Sequence, residues 1–281
     1  MKTIAAQQRG LSMVELLIAM AISSVLIIGL TQVYIDHKRT YVFQQSQAMN
    51  LENSRFAVIV LDDLLAKAGY RRDPRQSMAE AFAPVAALTQ YCAPFAQGHA
   101  VTRLKQQGDA GQTGVCLRYQ PAHDQETLCD GSEVSLSHNR AFTPAALSDT
   151  VYIALVFTPH SADAQQGSLS CITQRGPVEL LTGIADLRVE FGAGDAQHKK
   201  LSASTPFKPA QHWTDADGPV RAVRYAVLAA SRPYQRDGES QVYAQWLTYA
   251  NSSVQARLAA QDQRRIYQVS TGTQALRNML P

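Results

Sequence analysis

The sequence predicts an α+β protein, one long N-terminal helix followed by a domain of antiparallel strands. Two observations carry that prediction. From Leu11 to Leu30 the chain holds a single charge, Glu15, and from Thr31 to Ala68 no Pro or Gly interrupts the helical pattern. Beyond Gly114 it changes to short β-branched and aromatic runs bounded by turn residues. A third observation sets the compartment: Cys92, Cys116, Cys129 and Cys171 all follow the apolar run, and an even number of cysteines beyond such a segment reads as a disulfide framework on an oxidising side.

Leu11–Leu30, as a helix, measures ~30 Å, the thickness of a bilayer's hydrocarbon core. The residues ahead of it carry Lys2 and Arg9 and no acid. The positive-inside rule therefore keeps them cytoplasmic and sends the C-terminal bulk outward through the inner membrane. A cleaved secretory signal has a shorter apolar core ending in a small-x-small site, which is missing here. A plain signal anchor gains nothing from Glu15, because an acid at bilayer depth costs about 2.5 to 3.5 kcal/mol on insertion scales.

Arg9-Gly10-Leu11-Ser12-Met13-Val14-Glu15-Leu16-Leu17 resembles the class III leader of type IV pilins and pseudopilins. The resemblance implies that a prepilin peptidase cuts after Gly10, that the new N-terminus at Leu11 is N-methylated, and that Glu15 is the fifth mature residue. The family's usual first mature residue is Phe, where this chain has Leu11. Physics gives the arrangement a purpose: an ammonium at the end of an apolar helix needs an anionic partner to offset its desolvation. Glu15 of an adjacent subunit supplies one, and any other register leaves two charges unpaired in hydrocarbon. Leu11 and Glu15 are thus the expected subunit-pairing residues.

The helix is expected to continue to Ala68, about 85 Å from Leu11. Val33, Tyr34, Phe56, Ile59, Val60 and Leu64 recur near helical spacing, so the segment after Leu51 should lay an apolar face on a domain, while the polar stretch Asp36–Asn50 lies in water. Gly69 is the expected C-cap, and Asp63 is placed to meet Lys67 one turn on. The domains read as leader 1–10, membrane and filament-core segment 11–30, amphipathic helix 31–69, and periplasmic β-sheet domain 70–281.

After a loop-rich stretch with a short helix at Met78–Phe82, strands are expected at Val115–Tyr119, Glu133–Ser137, Val151–Thr158, Ser168–Thr173, Leu187–Phe191, Val220–Ala230, Val242–Thr248 and Arg265–Ser270. The four cysteines allow three connectivities; shorter loops favour Cys92 with Cys116 and Cys129 with Cys171.

No Gly-x-Ser-x-Gly, His-Glu-x-x-His or phosphate-cradling glycine loop occurs, so no enzyme, catalytic residue or cofactor is expected. No Cys-x-x-Cys occurs and no histidine lies at ligand spacing from a cysteine, so no metal site is expected. Asp215-Ala216-Asp217-Gly218 has part of a calcium loop's spacing, but Trp213 and Arg224 stand at the first and last ligand positions, and a turn is expected. Without the leader, 24 basic residues face 23 acidic ones, which argues against nucleic acid as a partner.

Asn53-Ser54-Arg55-Phe56-Ala57 and Ala68-Gly69-Tyr70, then Leu169-Ser170-Cys171, Glu179 through Phe191-Gly192, Trp213 ahead of Val220–Arg224, and Arg264-Arg265-Ile266-Tyr267 ahead of Leu276-Arg277-Asn278 resemble, in order, the PilW group of minor pilins. That group often has a cysteine soon after the Tyr, where this chain has Arg71-Arg72-Asp73-Pro74. The resemblance implies a minor pilin needed to initiate or assemble type IV pili. Its implied partners are the prepilin peptidase, other minor pilins, the major pilin and a tip adhesin, and its implied place is a complex at the fibre tip. A minor pseudopilin of type II secretion and a membrane-tethered periplasmic binding protein or enzyme are the alternatives.

Overall fold

A computed structural model describes residues 12–279 apart from 106–110, 139, 141, 161, 162, 164, 195–205, 260 and 261. The chain divides into two compact units, Met1–Ser46 and Gln47–Pro281. Helix α1, Met13–Lys67, supplies the described structure of the first unit apart from Ser12, and its last residues belong to the second.

The second unit is built on an eight-stranded antiparallel sheet. Its strands are β1 Val101–Thr102, β2 Thr113–Tyr119, β3 Val151–Thr158, β4 Gly167–Thr173, β5 Gly176–Ala193, β6 Phe207–Pro209, β7 Val220–Ala230 and β8 Tyr267–Ala275. They lie side by side in the order β1, β2, β3, β4, β5, β7, β8, with β6 paired to the end of β5. β5 is long because it serves two neighbours: its first part closes a hairpin with β4, and its second part pairs with β7.

One sheet face meets α1. Ala57, Leu61, Leu64, Leu65 and Ala68 are buried with Leu117, Ile153, Leu155, Leu187, Val223, Val227 and Trp213 in the main core. The opposite face is covered in two places. A loop carrying Cys92, Phe95 and Leu104 packs on Cys116, Ala154 and Ile172. Helices α3, Gln241–Thr248, and α4, Ser252–Ala259, pack Tyr243, Trp246, Val254 and Leu258 on Ala185, Leu228 and Tyr267.

Buried charges fasten these layers. Arg118, 1% exposed, points its guanidinium at the carbonyls of Phe82, Ala83, Ala96 and His99, at 2.6–3.3 Å, and between the rings of Phe82 and Phe95. Burial pushes its pKa down to about 10, so it stays charged at neutral pH and organises the loop by charge-assisted bonds. On the α3–α4 side, buried Asp186 accepts from Trp246 Nε1 and Arg257 Nη2, both at 2.8 Å. Burial pushes the Asp186 carboxyl above its usual range, against the pull of Arg257. Disulfides join Cys92 to Cys116 and Cys129 to Cys171, with Cα separations of 6.0 and 6.2 Å.

Two expected strands are absent. Val242–Thr248 is the helix α3: Ser240 Oγ accepts the Tyr243 N–H, and Tyr243 and Trp246 fall three apart on one buried face, a helical spacing inside a β-rich composition. Glu133–Ser137 makes only a bridge from Glu133 to Thr127: Val134 exchanges main-chain bonds with Gln125 and Glu126, and after it carboxylates take two donors, Asp124 accepting from Leu136 and Asp149 from Ser137. Helix α4, unread in the sequence, starts where Asn251 Oδ1 accepts the Val254 N–H at 2.8 Å. The short helix α2 covers Met78–Ala81 behind a Ser77–Glu80 capping box.

The end of α1 is held by the other end of the chain. Gly69 turns out of the helix at φ +73° and donates its N–H to Arg118 O at 3.0 Å. Asn278 Nδ2 donates to Ala66 O and Ala68 O, at 2.9 and 3.2 Å, satisfying carbonyls a helix C-terminus leaves open. Asn278→Ala should therefore lower stability by about 1 to 2 kcal/mol, read from the urea midpoint, with the sheet's circular dichroism unchanged.

Candidate functional site

In the first unit, Gly10 and Leu11 lie outside the described residues, and α1 opens directly after them. Ser12 caps it: its Oγ accepts the Val14 N–H at 3.4 Å, and Glu15 Oε2 reaches back to accept the Ser12 N–H at 3.1 Å. This is the Ser-x-x-Glu capping signature, legible in Ser12-Met13-Val14-Glu15, and it adds a local role to the pairing expected of Glu15. It gives the carboxylate a partner inside its own chain and places negative charge at the positive end of the helix dipole.

From Met13 onward the apolar side chains of this segment are exposed, including Leu17, Val25, Ile28 and Leu30 at 60–70%. The helix is long and apolar enough to cross a membrane, and none of its most apolar window is buried. Two of its hydroxyls are satisfied within the helix: Ser24 Oγ donates to Ala21 O at 2.8 Å and Thr31 Oγ1 to Ile27 O at 2.7 Å.

In the second unit α1 has two distinct faces. Asn50, Ser54, Ala57, Leu61, Leu64 and Ala68, three and four apart, are buried. The expectation that Phe56 and Ile59 share this face is corrected: they are 43% and 65% exposed, on a second stripe with Met49, Glu52, Asp63 and Ala66. The helical period was right and the phase was not, because the buried stripe is made partly of Ala, Ser and Asn. Those small and polar residues do specific work. Asn50 Nδ2 donates to Ile266 O at 3.0 Å and Asn53 Nδ2 to Thr182 O at 3.2 Å, beside Gly183, where φ is +82° and a side chain would strike Asn53. Asp62 accepts the Tyr225 hydroxyl at 2.7 Å. Lys67 pairs with Glu126 at 3.2 Å instead of with Asp63, which correction follows from Glu126 arriving above the helix from the loop after β2.

Among the described residues no catalytic grouping emerges. His99 Nδ1 lies 3.6 Å from Asp215, its pKa lowered by burial against the Asp215 charge. Asp215–Asp217 forms a 3-10 turn with Asp217 on Thr214 and Lys208, as a turn reading requires. Among the described residues no cluster of His, Cys, Asp or Glu is suited to a metal.

Residues 6–31 match the prokaryotic N-terminal methylation motif, and residues 163–278 match PilW, the type IV pilus-assembly protein W family. A type IV-like pilin from Thermus thermophilus, TTHA1219, is similar in structure at 12% identity over 84% of this chain and 97% of its own, with a TM-score of 0.42. No curated protein matches. A methylation motif opening an exposed apolar helix, whose later residues pack on an antiparallel sheet, is the arrangement expected of a pilin. The match over residues 163–278, together with the methylation motif, supports a PilW-type minor pilin with a role in type IV pilus assembly, and the exposed apolar helix fits a membrane-anchored pilin.

The two faces of α1 should respond oppositely to substitution. Leu61→Ala should cost about 2 to 5 kcal/mol of stability. Ile59→Ser should stay within about 0.5 kcal/mol of wild type and instead reduce recovery of the chain with other pilins. Both are read from urea unfolding together with crosslinked membrane fractions.

Proposed function

We propose that the prepilin peptidase cleaves this chain after Gly10, and that the ammonium created at Leu11 pairs with Glu15 of the next subunit as the helix leaves the bilayer for the fibre. The observation that carries this reading is the exposed apolar segment Met13–Ile35 with Glu15 as its sole charge. An apolar helix with exposed side chains suits lipid before assembly and other helices after it. Its charge sits where a partner's new N-terminus is expected.

The capping contact refines the mechanism. Before assembly Glu15 accepts the Ser12 main-chain N–H, which offsets part of its desolvation. A neighbour's ammonium offers a full opposite charge in the same low-dielectric surroundings and is the stronger partner. Exchange of a local cap for an intersubunit ion pair therefore favours assembly and sets the axial register. The leader charges Lys2 and Arg9 support an N-in, C-out orientation in the inner membrane. The exposed stripe Met49, Phe56 and Ile59 adds apolar surface for a second contact. By resemblance to its group, the assembled chain works with other minor pilins in an initiating complex at the fibre tip, beneath an adhesin.

Glu15→Ala separates insertion from assembly. Loss of the carboxylate improves the anchor by about 2 to 3 kcal/mol, so membrane abundance should equal or exceed wild type. A neighbour's ammonium loses its partner, at a cost of about 3 to 5 kcal/mol, so crosslinking to other pilins should fall by two decades or more. A Glu15→Ala chain that restores fibres to a deletion strain as well as wild type contradicts the pairing.

A further inference from the structure

The sheet's two edges are finished differently. At one end β1 is only two residues long. At the other, β8 runs for nine residues with no Pro and no charge, paired to β7 in unbroken register from Ala230↔Tyr267 to Ala222↔Ala275. Proteins ordinarily blunt an exposed edge by shortening it, charging it, bulging it or covering it, because its free N–H and C=O groups invite another strand. β8 uses none of these devices. Among the described residues, apart from Gln274 Nε2 donating to Ala275 O, no hydrogen bond reaches its main chain from outside the β7 ladder.

We propose that β8 is a strand-accepting edge, taking an extended, uncharged segment of a neighbouring pilin subunit as a ninth strand of the sheet. The chemistry of the partner is read from what lies beside the edge. On the side away from α1, β8 exposes Val269, Thr271, Thr273 and Ala275. Next to them is a groove of about 700 Å³, floored by Ala226 and walled by Tyr249, which is 81% exposed. Alternate side chains of an added strand point into that groove. Its charges are already engaged: Arg188 lies over the Trp246 ring at 3.8 Å and bonds the Trp246 carbonyl, and Arg224 pairs with Glu190 at 2.5 Å. An incoming charge finds no free counter-ion there, whereas Thr, Val, Ser or Ala side chains fit.

A second copy of this chain could pair β8 with β8, but that contact is isologous and closes on itself. Subunits of a helical fibre are related head to tail, so a contact within it is heterologous and the donated strand comes from a different surface. This choice of occupant rests on the minor-pilin reading.

Amide hydrogen exchange tests it on the processed full-length chain in detergent, alone and in complex with co-expressed pilins. Alone, alternate amides of Val269–Ala275 should exchange at least ten-fold faster than those of Val223–Leu228 in β7; in the complex they should slow at least ten-fold. The double variant Thr271→Lys, Thr273→Lys alters exposed side chains, so it should keep the wild-type melting temperature and exchange pattern while its association with the other pilins falls at least ten-fold. A complex that forms with β8 unprotected overturns the proposal alone. So does protection in the isolated chain that rises with its concentration, which assigns the edge to a second copy. A wild-type chain that joins no pilin complex overturns the assembly reading and the proposal with it.

Discussion

The C-terminal unit depends on the burial of one stripe of α1. Ala57, Leu61, Leu64, Leu65 and Ala68 are at most 5% exposed against the sheet. Each Leu so placed is worth about 1.5 to 3 kcal/mol of burial. That apolar contact has no preferred rotation by itself; the polar clamps supply one. Asn50, Asn53 and Asp62 each find a single partner, on Ile266, Thr182 and Tyr225, and Asn278 closes the last carbonyls. Once the stripe is fixed, the stripe carrying Met49, Phe56 and Ile59 has to face outward. A face available to other subunits is thus a consequence of how the domain folds.

Polar groups are treated in opposite ways in the two units. In the second, buried charges are surrounded by fixed partners: Arg118 by four carbonyls, Asp186 by Trp246 and Arg257, Arg265 by Ser231 O and Asp163. Removing one member of such a set leaves an uncompensated charge, so these groups hold a unique arrangement. In the first unit Glu15 has, among the described residues, only the local Ser12 N–H. A single neutral donor is a weak hold on a carboxylate in an apolar setting. The same carboxylate chemistry thus has several fixed partners in one place and a single local one in the other.

Much of this was legible in the sequence because the deciding signals were local. The unbroken run from Thr31 to Ala68 specified α1, and β-branched runs at Val151–Thr158 and Val220–Ala230 specified β3 and β7 to the residue. Failures came where local signals conflict or a distant group decides. Composition at Val242–Thr248 favoured a strand, but the Ser240 cap and the three-residue spacing of Tyr243 and Trp246 favoured a helix and prevailed. The phase of α1 could not be read from its largest apolar residues, since the sheet selected a stripe rich in Ala, Ser and Asn. Lys67 met Glu126 from another element, which no spacing along the helix foretells. At the candidate site, Glu15 was legible as an odd charge, and its capping contact was legible too, in the four residues Ser12–Glu15.

The central claim is that the chain leaves the membrane as a processed pilin and enters the fibre. The mass of its N-terminal peptide, taken from sheared and purified pili, tests this most directly. The account predicts that the chain is present in that fraction, beginning at Leu11 with a methylated α-amino group. A chain confined to the membrane fraction, or recovered from pili with Met1 through Gly10 still attached, contradicts it.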